Sequence, residues 1–206
     1  MRRIYITAIP FHQNFIISQN EFHPINFTSR YGEDRIHYII SPIIAETMRE
    51  GDTGKLIVLH QSDGTPEKNL EILKEELVHY GVADRVEITE VEVRESQEAE
   101  LLLDVFRRLT AEMEDGASYY MDITFGSKSF PLIQMAALSY ADNILKDTVI
   151  NGIYYHEIKR KEGKPVQSQA YDMQVLYSLT SLMSAVAGAD PADRKAMVEI
   201  LVGKGE

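Results

Sequence analysis

Short apolar runs alternate along the chain with stretches whose apolar residues recur every three or four positions. Ile4 to Ile9 ("IYITAI") and Lys55 to His60 ("KLIVLH") are continuous apolar runs, the pattern of strands buried on both faces. Arg85 to Val93 reads as a strand with its acids outward, and Ser118 to Ile123 is rich in β-formers. Helical patterns fill the intervals. Arg35 to Met48 is the first, with Pro42 expected to kink it or reset its start. "DGTPEKNLEILKEELVHYG" predicts Thr65 as N-cap, Pro66 as first helical residue and Glu67 in the first turn. Leu70, Leu73 and Leu77 form its inner stripe, and Gly81 stops it. Gln97 to Met113 carries Leu102, Phe106, Leu109 and Met113 on one face, and a good helix former begins near Phe130. After Lys146 come two strand-like runs, "TVINGIYYHEI" and "PVQSQAYDM", joined by a basic turn "KRKEGK". Gln174 to Ala187 is helical, Gly188 ends it, and Pro191 opens a short last helix.

Strands alternating with helices predict parallel βαβ units with right-handed crossovers. The expectation is an α/β, Rossmann-like three-layer sandwich with a mainly parallel sheet, a C-terminal β-hairpin and a short helical tail. The Rossmann-like domain is expected over 1–172 and the tail over 173–206. With 206 residues, the chain is long enough for one domain with a proper core. Its 44% hydrophobic and 26% charged residues are ordinary for a globular protein. No run approaches the length of a membrane span, and "MRRIYITAIPF" reads as a first strand, not a signal peptide. The absence of cysteine excludes disulfides and thiolate metal sites and fits a cytoplasmic protein. With 32 acids against 21 bases the net charge is −11, which argues against sequence-blind binding to duplex nucleic acid. A small phosphate ligand in a pocket remains open, because amides and one or two cations act locally.

In such sheets ligands sit beyond the carboxyl ends of the strands. Three segments are expected there: Phe11, His12, Gln13 and Asn14; Gln61, Ser62 and Asp63; and Thr124, Phe125, Gly126, Ser127, Lys128 and Ser129. Gly126 permits a tight turn, and Pro131 suits a first helical turn, so the amides of Ser127, Lys128 and Ser129 would face the cleft. The plain alternative is a turn with Ser127 or Ser129 as helix N-cap. No GxGxxG follows the first strand and no P-loop is present, so no cofactor is expected. His12, His23 and His37 are too widely spaced to suggest a metal. Arg30 and His37 match the R-x6-H spacing of HEPN ribonucleases, but chance accounts for the pair in this part of an α/β unit. Asp122 reads as ordering backbone at the strand end.

The stretch "MDITFGSKSFPLIQMAAL" resembles the signature of the CARF domain, the CRISPR-associated Rossmann-like fold of type III ancillary proteins. The matching positions are Asp122, Ile123, Thr124, Phe125, Gly126, Ser127, Lys128, Ser129, Pro131 and Leu132. Weaker likenesses are "SPIIAE", "NGIYYHE" and "YDMQVLYSLTSLMSAV", so that the resemblance spans about residues 1–187. Two positions depart from the family pattern: Phe125 stands where His is frequent, and Lys128 where Arg is.

The resemblance implies a homodimer that binds cyclic oligoadenylate, a tetra- or hexa-adenylate, across its two-fold axis. Amides and Lys128 would then meet phosphate, Thr124 and Ser129 hydroxyls, and Phe125 and Tyr155 the bases. Fewer than 20 residues follow Gly188, too few for a further domain. The chain is therefore expected either to belong to a longer effector nuclease or to work alone. Working alone, it would be a ring nuclease, with Ser127, Lys128 and Ser129 stabilising metal-independent attack by a 2′-OH, or a binding module that regulates an effector partner. A nucleotide-binding enzyme outside CRISPR defence is the remaining alternative.

Overall fold

A computed structural model describes residues 2–10, 35–61, 67–94, 98–162 and 164–203. The chain divides into two units, Met1–Asp172 and Met173–Glu206. The first is an α/β three-layer sandwich of the Rossmann-like kind. Its strands are β1 (Arg2–Ala8), β2 (Gly54–Gln61), β3 (Val86–Val93), β4 (Ala117–Asp122), β5 (Val149–Lys161) and β6 (Lys164–Asp172). They form one sheet in the order β3-β2-β1-β4-β5-β6, parallel except for β6, which runs antiparallel to β5. Ile4 to Ala8 and Gly54 to Leu59 are buried without interruption, as strands covered on both faces must be. The edge strand β3 instead buries Val86, Val91 and Val93 and exposes Glu87, Glu90 and Glu92.

The helices are α1 (Ile40–Thr47), α2 (Glu67–His79), α3 (Ala99–Ala111) and α4 (Phe130–Ile144). From β1 the chain steps outward to β2 and β3, then crosses back over β1 to β4 and on to β5. Right-handed crossovers therefore place α1 and α2 on one face and α3 and α4 on the other. Packing agrees, with α1 against α2 and α3 against α4. On the first face Tyr5, Tyr38, Ile40, Ile44, Leu56, Val58, Leu73 and Leu77 belong to one buried cluster. Phe106 of α3 meets Tyr140 of α4 edge-on at 6.3 Å on the other.

Pro42 resets the first helix, which starts at Ile40 with the proline in its first turn, where a missing N–H costs least. The buried stripe of α3 runs through Val105 and Leu109, while Leu102 and Phe106 are half-buried. That stripe is turned relative to the expected one because α3 packs on both the sheet and α4. The basic segment expected as a turn is mostly strand. Lys159, Arg160 and Lys161 pair across to β6, and the chain reverses between Lys161 and Lys164 with Glu162 at φ 53°. Thr65 and Pro66, expected to open α2, lie outside the described residues. The second unit holds α5 (Gln174–Ala187) and α6 (Arg194–Val202). Among the described residues no helix is long and apolar enough to cross a membrane.

Candidate functional site

Successive strands leave the sheet toward opposite faces only between β1 and β4, which are neighbours in the sheet. Beyond the carboxyl ends of strands at such a point is where ligands of open α/β sheets bind. The loop 123–129 leaves β4 there. It is built on Asp122, the last residue of β4, which is fully buried. Its Oδ2 accepts the Thr7 hydroxyl from β1 at 2.8 Å, and its Oδ1 accepts the Thr124 N–H at 2.9 Å. The nearby Thr124 hydroxyl also favours the charged form of this carboxylate. Gln134 of α4 reaches back from its buried position, its Nε2 donating to the Asp122 carbonyl at 3.2 Å. One residue thus ties together β1, β4, the loop and α4.

On the β5 side the loop continues the sheet ladder by other means. The Ile123 N–H donates to the Tyr154 carbonyl at 2.9 Å, and the His156 N–H donates to Thr124 Oγ1 at 2.9 Å. The Thr124 hydroxyl replaces the backbone carbonyl that β4 would have offered had it gone on. Burial pushes the Asp122 carboxyl up to about 6, against the opposing pull of the Thr124 and Thr7 hydrogen bonds. The same cause pushes the His156 imidazole down to about 4. At neutral pH the floor therefore holds one buried anion and one neutral imidazole.

Gly126 sits at φ 107°, and a Cβ there would lie 2.6 Å from the Phe130 ring and 3.3 Å from its Cβ. Both the conformation and the space demand glycine. Phe125 is half-buried and packs edge-on to Tyr38, 5.7 Å between centroids, so much of its ring serves the core. The Ser127 and Ser129 hydroxyls lie 2.8 Å apart and bond each other, and no side chain caps α4. Pro131 occupies the first turn of that helix, as expected. Lys128 is exposed and forms no hydrogen bond or ion pair among the described residues. The amides of Ser127 and Lys128 likewise meet no acceptor there. An anion arriving at this loop would meet the Lys128 ammonium, two amides and the positive end of a helix of 15 residues.

The expected site residues are only partly gathered. Thr124 to Ser129 form the loop, with the Thr124 hydroxyl and amide already engaged within the fold. Gln61 ends β2, two strands away from β4 in the sheet. Tyr155 lies in β5, stacked on Tyr171 with centroids 6.4 Å apart. Phe11, His12, Gln13, Asn14, Ser62 and Asp63 lie outside the described residues, as do His23 and Arg30. His37 is committed elsewhere, its Nδ1 2.9 Å from Glu76 Oε1. Sequence reasoning passed over Thr7, Gln134, Tyr38 and His156. Three of them carry a common signal, a polar side chain inside an apolar run: "IYITAI", "FPLIQMAAL" and "IYYHEI". No protein-family model matches the sequence, and no curated protein matches it.

Proposed function

We propose that this protein is a cytoplasmic sensor of cyclic oligoadenylate in type III CRISPR signalling, binding the ring as a homodimer over the loop Thr124–Ser129. The observation that carries the reading is this loop at the switch point. It combines a Lys128 and two amides that meet no partner among the described residues, and a hydroxyl pair, with the sequence D-I-T-F-G-S-K-S-F-P-L. Phosphates of the ring would meet the Lys128 ammonium and the amides of Ser127 and Lys128. The Ser127 hydroxyl, 2.8 Å from that of Ser129, adds a polar group beside these amides. Thr124 supports the loop from below and is not offered to the ligand.

Ring cleavage on this site would be in-line attack by a ligand 2′-OH on its own phosphodiester, with the lysine and amides stabilising charge on phosphorus. Such cleavage would be slow and yield 2′,3′-cyclic phosphate ends. The test is incubation with labelled cyclic tetra- and hexa-adenylate, followed by mass spectrometry of products and light scattering of the complex. Binding by a dimer, with or without slow turnover that survives a chelator, is the expected result. Neither binding nor turnover, or a monomer with and without ring, would overturn the reading.

A further inference from the structure

The Asp122 carboxylate lies under the loop and forms no ion pair among the described residues. Its hydrogen-bonding neighbours are dipoles, the Thr7 hydroxyl and the Thr124 amide, both donors. We propose that Asp122 is a positioning residue whose charge is exchanged against that of the ligand: as a phosphodiester settles over Ser127–Ser129, the buried carboxylate takes up a proton from solvent. The inference rests on the reading of the loop as a phosphate site.

Two anions would otherwise share one small region, where the described loop supplies one cation, Lys128. At an effective dielectric of about 20, a phosphate charge roughly 8–10 Å away raises a carboxyl by about one pK unit. Asp122 starts at about 6, so such a rise carries it across the neutral range. The hydrogen bonds can accommodate the proton. Protonated at Oδ2, the carboxyl donates to Thr7 Oγ1, while Oδ1 still accepts the Thr124 amide. The displaced Thr7 hydrogen has a second acceptor in place, the Ala8 carbonyl at 3.4 Å. No polar group is orphaned by the change, and the start of the loop stays anchored.

The other titratable groups around Asp122 do not compete for this proton. Tyr38, ahead of α1, is held well above the usual phenol range by burial and by the charges of Glu76 and Asp122, and stays neutral. On β5, His156 shares Thr124 with Asp122 through its backbone N–H, and burial keeps its ring neutral above about pH 4.

Titration calorimetry with cyclic tetra-adenylate and cyclic hexa-adenylate at pH 6.5, in buffers of different ionisation heat, reads the exchange. The expected result is uptake of about half a proton per protomer with whichever ring binds, lost in Asp122→Asn, whose affinity no longer varies with pH. Should Asp122→Asn fail to fold, carboxyl carbon NMR on the wild-type chain decides. The Asp122 midpoint should then move up by about one unit on ring binding. Heat that is the same in every buffer, an unmoved midpoint, or uptake that persists in Asp122→Asn overturns the inference and leaves the phosphate reading standing. No heat with either ring overturns both.

Discussion

The amino ends of the strands and the loop after β4 treat charge in opposite ways. At the amino ends of the strands, cations and acids are matched. Arg2 reaches Glu87 at 2.6 Å and Glu114 at 3.2 Å, and Arg3 pairs with Asp52. The buried Lys55 lies 2.6 Å from Glu112 and 3.6 Å from Glu114, and also donates to the Glu112 carbonyl at 3.0 Å. At the carboxyl ends, beside β1 and β4, Asp122 has hydrogen bonds but no ion pair among the described residues, and Lys128 has neither there. A charge neutralised by its neighbour contributes to folding and has little left for a ligand. A charge left uncompensated in the fold is available to something outside it. The difference sets the first as structural and supports the proposal of the second as a place for binding.

Removing Lys55 tests the structural region and should have the largest effect. Lys55→Met is expected to cost about 3 kcal/mol in denaturant unfolding, since it strips Glu112 of a partly buried partner. Ring affinity should not change. A loss of affinity without a loss of stability would erase the distinction between the two regions.

The buried floor is tested by pH. Asp122, raised from 3.8 to about 6, contributes stability that is full below pH 3.8 and lost as pH rises to about 6. His156, lowered from 6.5 to about 4, contributes stability that is full above pH 6.5 and lost as pH falls to about 4. The two slopes oppose each other between about pH 4 and 6 and largely cancel in the wild type. Asp122→Asn should unmask the histidine, so that stability climbs with pH by about 3 kcal/mol across this window. His156→Gln should unmask the carboxylate and reverse the slope. Equal slopes in wild type and both variants, by chemical denaturation at fixed pH values, would mean that neither group is perturbed as described.

Lys128→Ala should weaken ring binding by about 1–3 kcal/mol, the range for a charge-assisted hydrogen bond. Its thermal midpoint should stay that of the wild type, because the side chain is exposed. Unchanged affinity at moderate salt would reduce the loop to a turn before α4. The smallest effect belongs to Arg2→Ala. Its two ion pairs are solvent-exposed and should be worth less than about 1 kcal/mol, a difference that vanishes at high salt.

Much of this architecture was legible in the order of residues because burial leaves a periodic trace. The runs "IYITAI" and "KLIVLH" announce strands covered on both faces, and the acids of "VEITEVEV" announce an edge. Gly126 and Pro131 marked the loop and the start of α4 for local reasons of backbone geometry, and the structure places both there. The rotation of the α3 face was not legible, because it depends on what two surfaces the helix shares, and neither is nearby in sequence.

The site divides along the same line. An exposed lysine in a glycine-containing loop between a strand and a helix follows from local sequence, since each feature is set by residues within one or two turns of the others. The partners of Asp122 do not follow from it. Thr7 lies 115 positions away and meets the carboxylate only because β1 and β4 become neighbours in the sheet. His156 engages Thr124 only because β5 runs on past the end of β4. Hydrogen bonds across such separations are set by strand order and register, which the whole sheet decides together. Sequence therefore determined which groups the loop presents, and tertiary structure decided which of them remain free for a ligand.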